Sequence, residues 1–135
     1  KPKDSQLIQM SRKRNNEKKN WVLNQIECFI ESYRRKKRKT PKIACLGLTF
    51  KPDVEDMRNS PAEEISLSLV KKGYDIVGVD PNLKNHPKIS LIEIENAREI
   101  ADVLVILVKH QKFIKLSKSG YFKEMITLDF CGLIN

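Results

Sequence analysis

The twenty residues Lys42 to Pro61, KIACLGLTFKPDVEDMRNSP, decide how the rest of the chain reads. They open on the apolar run Ile43-Ala44-Cys45-Leu46-Gly47-Leu48, the pattern of a strand covered on both faces. The chain then turns through Phe50-Lys51-Pro52-Asp53, where the proline holds Lys51 in extended conformations. Ser60 followed by Pro61 is a strong helix start, a capping hydroxyl ahead of a residue that needs no N–H partner. Lys51 and Arg58 therefore lie on a loop between a strand's carboxyl end and a helix's amino end. Open α/β sheets take anionic ligands at such a place.

Outward from that stretch, apolar runs alternate with amphipathic ones. Residues 61–72 predict a helix with Ile65, Leu67 or Ser68, Leu69 and Val70 towards the core, stopped at Lys71-Lys72-Gly73. Tyr74 to Val79 reads as a second strand ending at Asp80-Pro81-Asn82, which shapes a turn. Residues 82–88 read as a loop, Ile89 to Ile92 as a short strand and Glu93 to Ala101 as a helix. Val103 to Val108 is the most apolar run and marks a central strand. A short helix over His110 to Leu116, a brief helical or irregular piece over Ser119 to Met125 and a last strand from Ile126 to Asp129 complete the series. Strands alternating with helices predict an α/β, Rossmann-like three-layer sandwich with a mostly parallel sheet.

Ahead of the first strand, residues 5–36 contain neither proline nor glycine and predict one long helix. Leu7, Ile8 and Met10 begin its apolar positions. Trp21, Val22, Ile26, Phe29, Ile30 and Tyr33 form a clear stripe. The division expected is a connecting helix over residues 1–40 and a binding domain over residues 41–135. The second half of the helix can pack on that domain. The first half has no partner in the chain, which implies another domain or a second subunit.

The 135 residues carry a net charge of +9. Residues 1–42 hold 14 basic and 4 acidic side chains, and the remainder 12 and 13, so the excess belongs to the helix. Much of it is the run Arg34 to Lys39, which suits the negative end of a helix dipole. A nucleic-acid-binding module is the alternative that this run raises, and its confinement to one helix end disfavours it. No run of about eighteen apolar residues predicts a membrane span, and the first residues lack the apolar core of a signal peptide. Three widely spaced cysteines suit a reducing cytoplasm. His86 and His110 are too isolated for a metal site and read as surface or partly satisfied histidines. Asp53 and Glu55 read as solvent-facing; Asp56 suits either orienting a cation or a turn.

The pattern G-L-x-F-K-P-x-x-x-D-x-R-x-S-P, carried by Gly47, Phe50, Lys51, Pro52, Asp56, Arg58, Ser60 and Pro61, resembles the opening of the UDP-binding domain in the UDP-glucose/GDP-mannose dehydrogenase family. With Asp80-Pro81-Asn82 one strand later, it is most similar to the branch acting on UDP-N-acetylmannosamine. Branches acting on UDP-glucose or UDP-N-acetylglucosamine share the loop. The resemblance implies that Phe50 and Lys51 hold the UDP-sugar, Phe50 by backbone and packing contacts and Lys51 by its ammonium. It implies that Arg58 reaches towards NAD, which a separate N-terminal domain mainly binds. It implies a homodimer built through the long helix, where Ser11-Arg12-x-x-Asn15 resembles a pattern of the family. A basic residue expected after the last strand is missing from Phe130 to Asn135. The resemblance also places the cysteine nucleophile and its partners in domains ahead of Lys1. Cys28, Cys45 and Cys131 do not match the nucleophile's glycine-rich surroundings, so this chain alone is expected to be inactive.

Overall fold

Lys42–Leu46 forms β1, and its side chains alternate between two buried layers. A computed structural model describes residues 2–53 and 60–134, with side chains from Asn16 onward. Arg58, Asp56 and Glu55, and the side chains of Leu7, Ile8, Met10, Arg12 and Asn15, lie outside the described residues. β1 ends two residues earlier than its apolar run predicts. Gly47 takes φ +97 and donates its N–H to Val79 O at 2.7 Å, which turns the chain out of the sheet. A Cβ at residue 47 would stand 2.5 Å from Val108 Cβ and 2.8 Å from Val108 N. Only glycine satisfies both the dihedral and the space.

Ser60 caps the helix α2, Pro61–Lys71, accepting from Glu63 N at 3.2 Å and donating to Leu48 O at 2.6 Å. α2 buries Ala62, Ile65, Ser66 and Leu69, a 3-4 spacing. Ser66 joins the inner face, its hydroxyl satisfied by Ala62 O at 2.9 Å, while Leu67 and Val70 pack half-buried at its margin. Gly73, at φ +90, ends the helix: Gly73 N bonds Val70 O and Tyr74 N bonds Leu69 O.

The strands β2 (Asp75–Val79), β3 (Ser90–Leu91), β4 (Val103–Ile106) and β5 (Ile126–Asp129) join β1 in one sheet of order β3-β2-β1-β4-β5. Every pairing is parallel. β4 stops short of the predicted Val108 because Leu107 N and Val108 N both turn back to Leu46 O. Between the strands lie α3 (Ile94–Ile100) and α4 (Gln111–Lys118).

The long helix α1 spans Pro2–Lys37. On one side of the sheet, its Val22, Leu23, Ile26, Ile30 and Tyr33 join Ile65 and Leu69 of α2 against Ile43, Cys45, Val103 and Val105. On the other, Ile94, Ala97 and Phe113 cover Ala44, Leu46, Val77, Leu104 and Ile106. The result is the predicted three-layer α/β sandwich. Trp21, expected on the buried stripe, is instead 55% exposed and sets its ring edge-on to Phe130, with centroids 6.0 Å apart. Leu23 takes the inward position, because the stripe drifts around a helix with 3.6 residues per turn.

α1 runs parallel to α2: Lys19 pairs with Glu64 at 3.0 Å near one end, and Lys72 with Glu27 at 3.0 Å near the other. Tyr74 Oη adds a 3.3 Å bond to Glu27. Such exposed pairs contribute little individually. The fully buried Ile26 and Ile30 hold the helix more firmly, each burial contributing about 2 kcal/mol. The basic residues Arg34, Arg35, Lys36 and Lys37 occupy the last turn of α1, where its dipole favours cations.

Candidate functional site

The sheet order reverses direction between β1 and β4, so the loops leaving their carboxyl ends part and open a crevice. A cleft of about 440 Å³ lies there. Its walls include Thr49 and Phe50 after β1, Leu107 and Val108 after β4, and Phe130 and Cys131 after β5, with Pro61 and Ala62 from the start of α2. Lys18, Lys19 and Val22 of α1 close one side. The size is in the range of small-molecule sites, and the apolar walls interrupted by a few cations suit an amphiphilic anion.

Phe50 stands at the mouth, 43% exposed, and Lys51 extends beside it with Nζ 5.8 Å from the ring centroid. The two predicted ligand residues are thus adjacent at the cleft's edge. Among the described residues Lys19 has a carboxylate partner, Glu64, whereas Lys18 has none within 4 Å. Both lysines escape a reading that looks only for motifs. Their signal is periodicity: they precede Val22 by four and three positions and share its face.

Behind the loop lies a buried polar cluster. The Asp80 carboxylate is wholly buried and accepts from Leu48 N at 2.8 Å, Thr49 N at 3.1 Å and Asn82 N at 2.8 Å. His110 Nε2 lies 3.1 Å from Asp80 Oδ2, and His110 Nδ1 accepts from Asp53 N at 2.9 Å. Burial pushes the Asp80 carboxyl up, but the His110 hydrogen bond and the N–H groups of Leu48 and Asn82 outweigh it and hold it below its ordinary value. Asp80 does shape the predicted turn, through Asn82, and it also ties the β1 loop to β2. In a dinucleotide fold a carboxylate here would reach a ribose. In this chain its acceptor capacity is committed internally, and the adjacent cavity of about 80 Å³ is too small for a nucleoside. This part of the domain does not fit NAD.

The histidines depart from expectation. His110 is fully buried rather than at the surface, and the His86 side chain is only 6% exposed. His86 Nε2 lies 2.7 Å from Glu63, and its Nδ1 accepts from Lys88 N and Ile89 N. Both rings are retained inside because each satisfies its two nitrogens there. Asp53 faces solvent as expected, yet its Oδ1 also accepts from Gln111 N at 2.9 Å, tying the loop to α4.

Two of the three thiols, Cys45 and Cys131, are poor nucleophiles. Burial pushes Cys45 up to about 11. Burial, with Asp129 beside it, pushes Cys131 up to about 11 as well. Asp129 is held low despite its burial by the N–H groups of Ile134, Leu133 and Cys131, and so folds the segment after β5 around itself.

Similarity to known proteins agrees with this geometry. Residues 44–134 match the UDP binding domain model of the UDP-glucose/GDP-mannose dehydrogenase family. Over 123 residues the chain is 37% identical to a UDP-N-acetyl-D-mannosamine dehydrogenase of Campylobacter jejuni, covering 85% of this chain and 29% of the relative. Over 137 aligned positions it is 38% identical to an NDP-N-acetyl-D-galactosaminuronic acid dehydrogenase of Ralstonia solanacearum, covering 98% and 31%. The solved UDP-N-acetyl-mannosamine dehydrogenase of Staphylococcus aureus superposes with a TM-score of 0.75 at 25% identity, again covering 98% of this chain and 31% of that one. The chain spans about 30% of the length of these relatives. The match over residues 44–134, with the relatives at 37 and 38% identity, places the α/β sandwich just described: the chain belongs to the UDP-glucose/GDP-mannose dehydrogenase family and carries its UDP-binding domain.

Proposed function

We propose that the cleft between β1 and β4 binds the uridine diphosphate part of a UDP-sugar, as one wall of the substrate site of an NAD-dependent UDP-sugar 6-dehydrogenase. UDP-N-acetylmannosamine is the favoured substrate. One observation carries the reading: an apolar-walled cleft at the sheet's switch point with Phe50 on its wall and the Lys51 ammonium 5.8 Å from that ring. Phe50 packs against the nucleotide, and the Lys51 ammonium meets a phosphate oxygen as a point charge. A second sugar is favoured by a specific similarity. The R. solanacearum relative acts in the galacto series, so the N-acetylated hexosamine class is better supported than UDP-glucose.

Residues 41–135 form the binding unit in this reading, and residues 1–40 the connector through which a homodimer assembles. Arg58 reaches the NAD held by another domain of the whole protein, where the oxidation also takes place. The raised thiols of Cys45 and Cys131 support that division. Three free cysteines suit a cytoplasmic protein, and no helix among the described residues is long and apolar enough to cross a membrane.

Calorimetric titration with UDP tests the reading. Lys51→Ala weakens binding about tenfold, equivalent to about 1.4 kcal/mol. Neutralising Arg34 to Lys39 leaves binding unchanged. Loss on neutralising that run, with salt-sensitive binding to any polyanion, would instead favour the nucleic-acid alternative.

A further inference from the structure

We propose that His110 is a positioning residue for the diphosphate site: its ring, backed by Asp80, fixes the turn that presents Phe50 and Lys51 to the ligand. The proposal rests on the uridine diphosphate reading of the cleft.

The ties to the turn fall on alternate residues. Thr49 N donates to Asp80 Oδ2 at 3.1 Å, and Thr49 Oγ1 donates to Lys51 O at 2.9 Å. Asp53 N donates to His110 Nδ1 at 2.9 Å. The bonds of Lys51 and Asp53 are made by their backbone, and the side chains of Phe50, Lys51, Pro52 and Asp53 are all exposed. The arrangement anchors the backbone on one side of the turn and leaves Phe50 and Lys51 facing outward. Asp53 holds φ +62, a conformation costing an L-residue about 1 kcal/mol, so its contacts select it.

The ring's proton follows from its partners. Nδ1 accepts an N–H, so it carries no hydrogen; Nε2 therefore carries it and donates to Asp80 Oδ2. Thr49 Oγ1, 3.4 Å from Nε2, spends its own proton on Lys51 O. One fully buried ring thus joins the end of β2 to the loop after β1, using a different nitrogen for each. A histidine kept only for packing would not need both nitrogens engaged on separate elements.

The two bonds can be separated. Asn at 110 sets an amide oxygen near the Nδ1 position and keeps an acceptor for Asp53 N. Gln sets its NH2 near the Nε2 position and keeps a donor for Asp80 while losing that acceptor. The test measures UDP affinity by calorimetry for the chain, His110→Asn and His110→Gln, with ring ¹⁵N shifts of the parent. Expected are a neutral Nε2–H ring, UDP binding at least tenfold weaker in His110→Gln, and binding within about threefold of the parent in His110→Asn. Asp53→Gly accepts the same φ, keeps the N–H that His110 Nδ1 accepts, and removes the carboxylate that bonds Gln111 N and lies 3.8 Å from His110 Nδ1. It weakens UDP binding about threefold at unchanged Tm, and carries the test if the His110 variants do not fold. Equal UDP affinity in His110→Gln, in Asp53→Gly, or a proton on Nδ1 overturns the proposal. If the parent itself does not bind UDP, it is the reading of the cleft that fails, and the proposal with it.

Discussion

Two regions of this molecule concentrate positive charge, and they differ in everything else. Arg34 to Lys39 crowd six cations onto the exposed end of α1, tied only by surface contacts such as Arg34 to Glu31 at 3.3 Å and Lys39 to Asp102 at 3.7 Å. At the cleft, Lys18 and Lys19 line the wall, and Lys51, from a distant segment, stands beside the lining residue Phe50. Screening by salt weakens the first group over about 8 Å at physiological ionic strength. In the second, the anchored turn fixes where Lys51 leaves the backbone, and apolar walls lie beside Lys18 and Lys19, where an effective dielectric below that of water favours charge pairing. Density of charge does not make a site; concavity and anchoring do.

The contrast can be broken most severely at Gly47. Gly47→Val places side-chain atoms on Val108 and demands φ +97 of a β-branched residue. A loss of about 4 kcal/mol in denaturant unfolding is expected, with UDP binding abolished. Next in size is Asp80→Asn, which turns an NH2 group towards N–H donors. About 3 kcal/mol is lost at pH 7, again read by denaturant titration. This variant also alters acid behaviour. The Asp80 carboxyl is held below its ordinary value, so its stabilisation is complete above the unfolded carboxyl range near pH 4 and disappears as pH falls through the folded value. Asp80→Asn therefore unfolds along a shallower acid limb below about pH 4. The smallest effect sharpens the contrast directly: Lys18→Ala weakens UDP binding about threefold, equivalent to about 0.7 kcal/mol, while Lys36→Ala leaves it unchanged in the same titration.

The architecture was largely legible because strands covered on both faces leave continuous apolar runs. Ile43 to Leu48 and Val103 to Val108 announced the sheet centre. Their ends were not legible, since hydrogen bonds to Val79 O and Leu46 O set them, and hydropathy carries no trace of either. Phe50 and Lys51 stood out through the family motif that their loop resembles. The support beneath them did not. His110 and Asp80 lie 30 residues apart, and each, read alone, is an ordinary surface-type residue. Trp21 shows the opposite failure: a large apolar side chain read as inward, although the helix turns it towards Phe130 at the surface.

α1 has a mechanical consequence. Its 36 residues rise about 54 Å, and among the described side chains its buried stripe runs from Val22 to Tyr33. A tilt of about 5° about the middle of that stripe sweeps the opposite end, about 37 Å away, through about 3 Å. Slight repacking at Ile26 or Ile30 would therefore be read out, magnified, wherever the far end of this lever is attached.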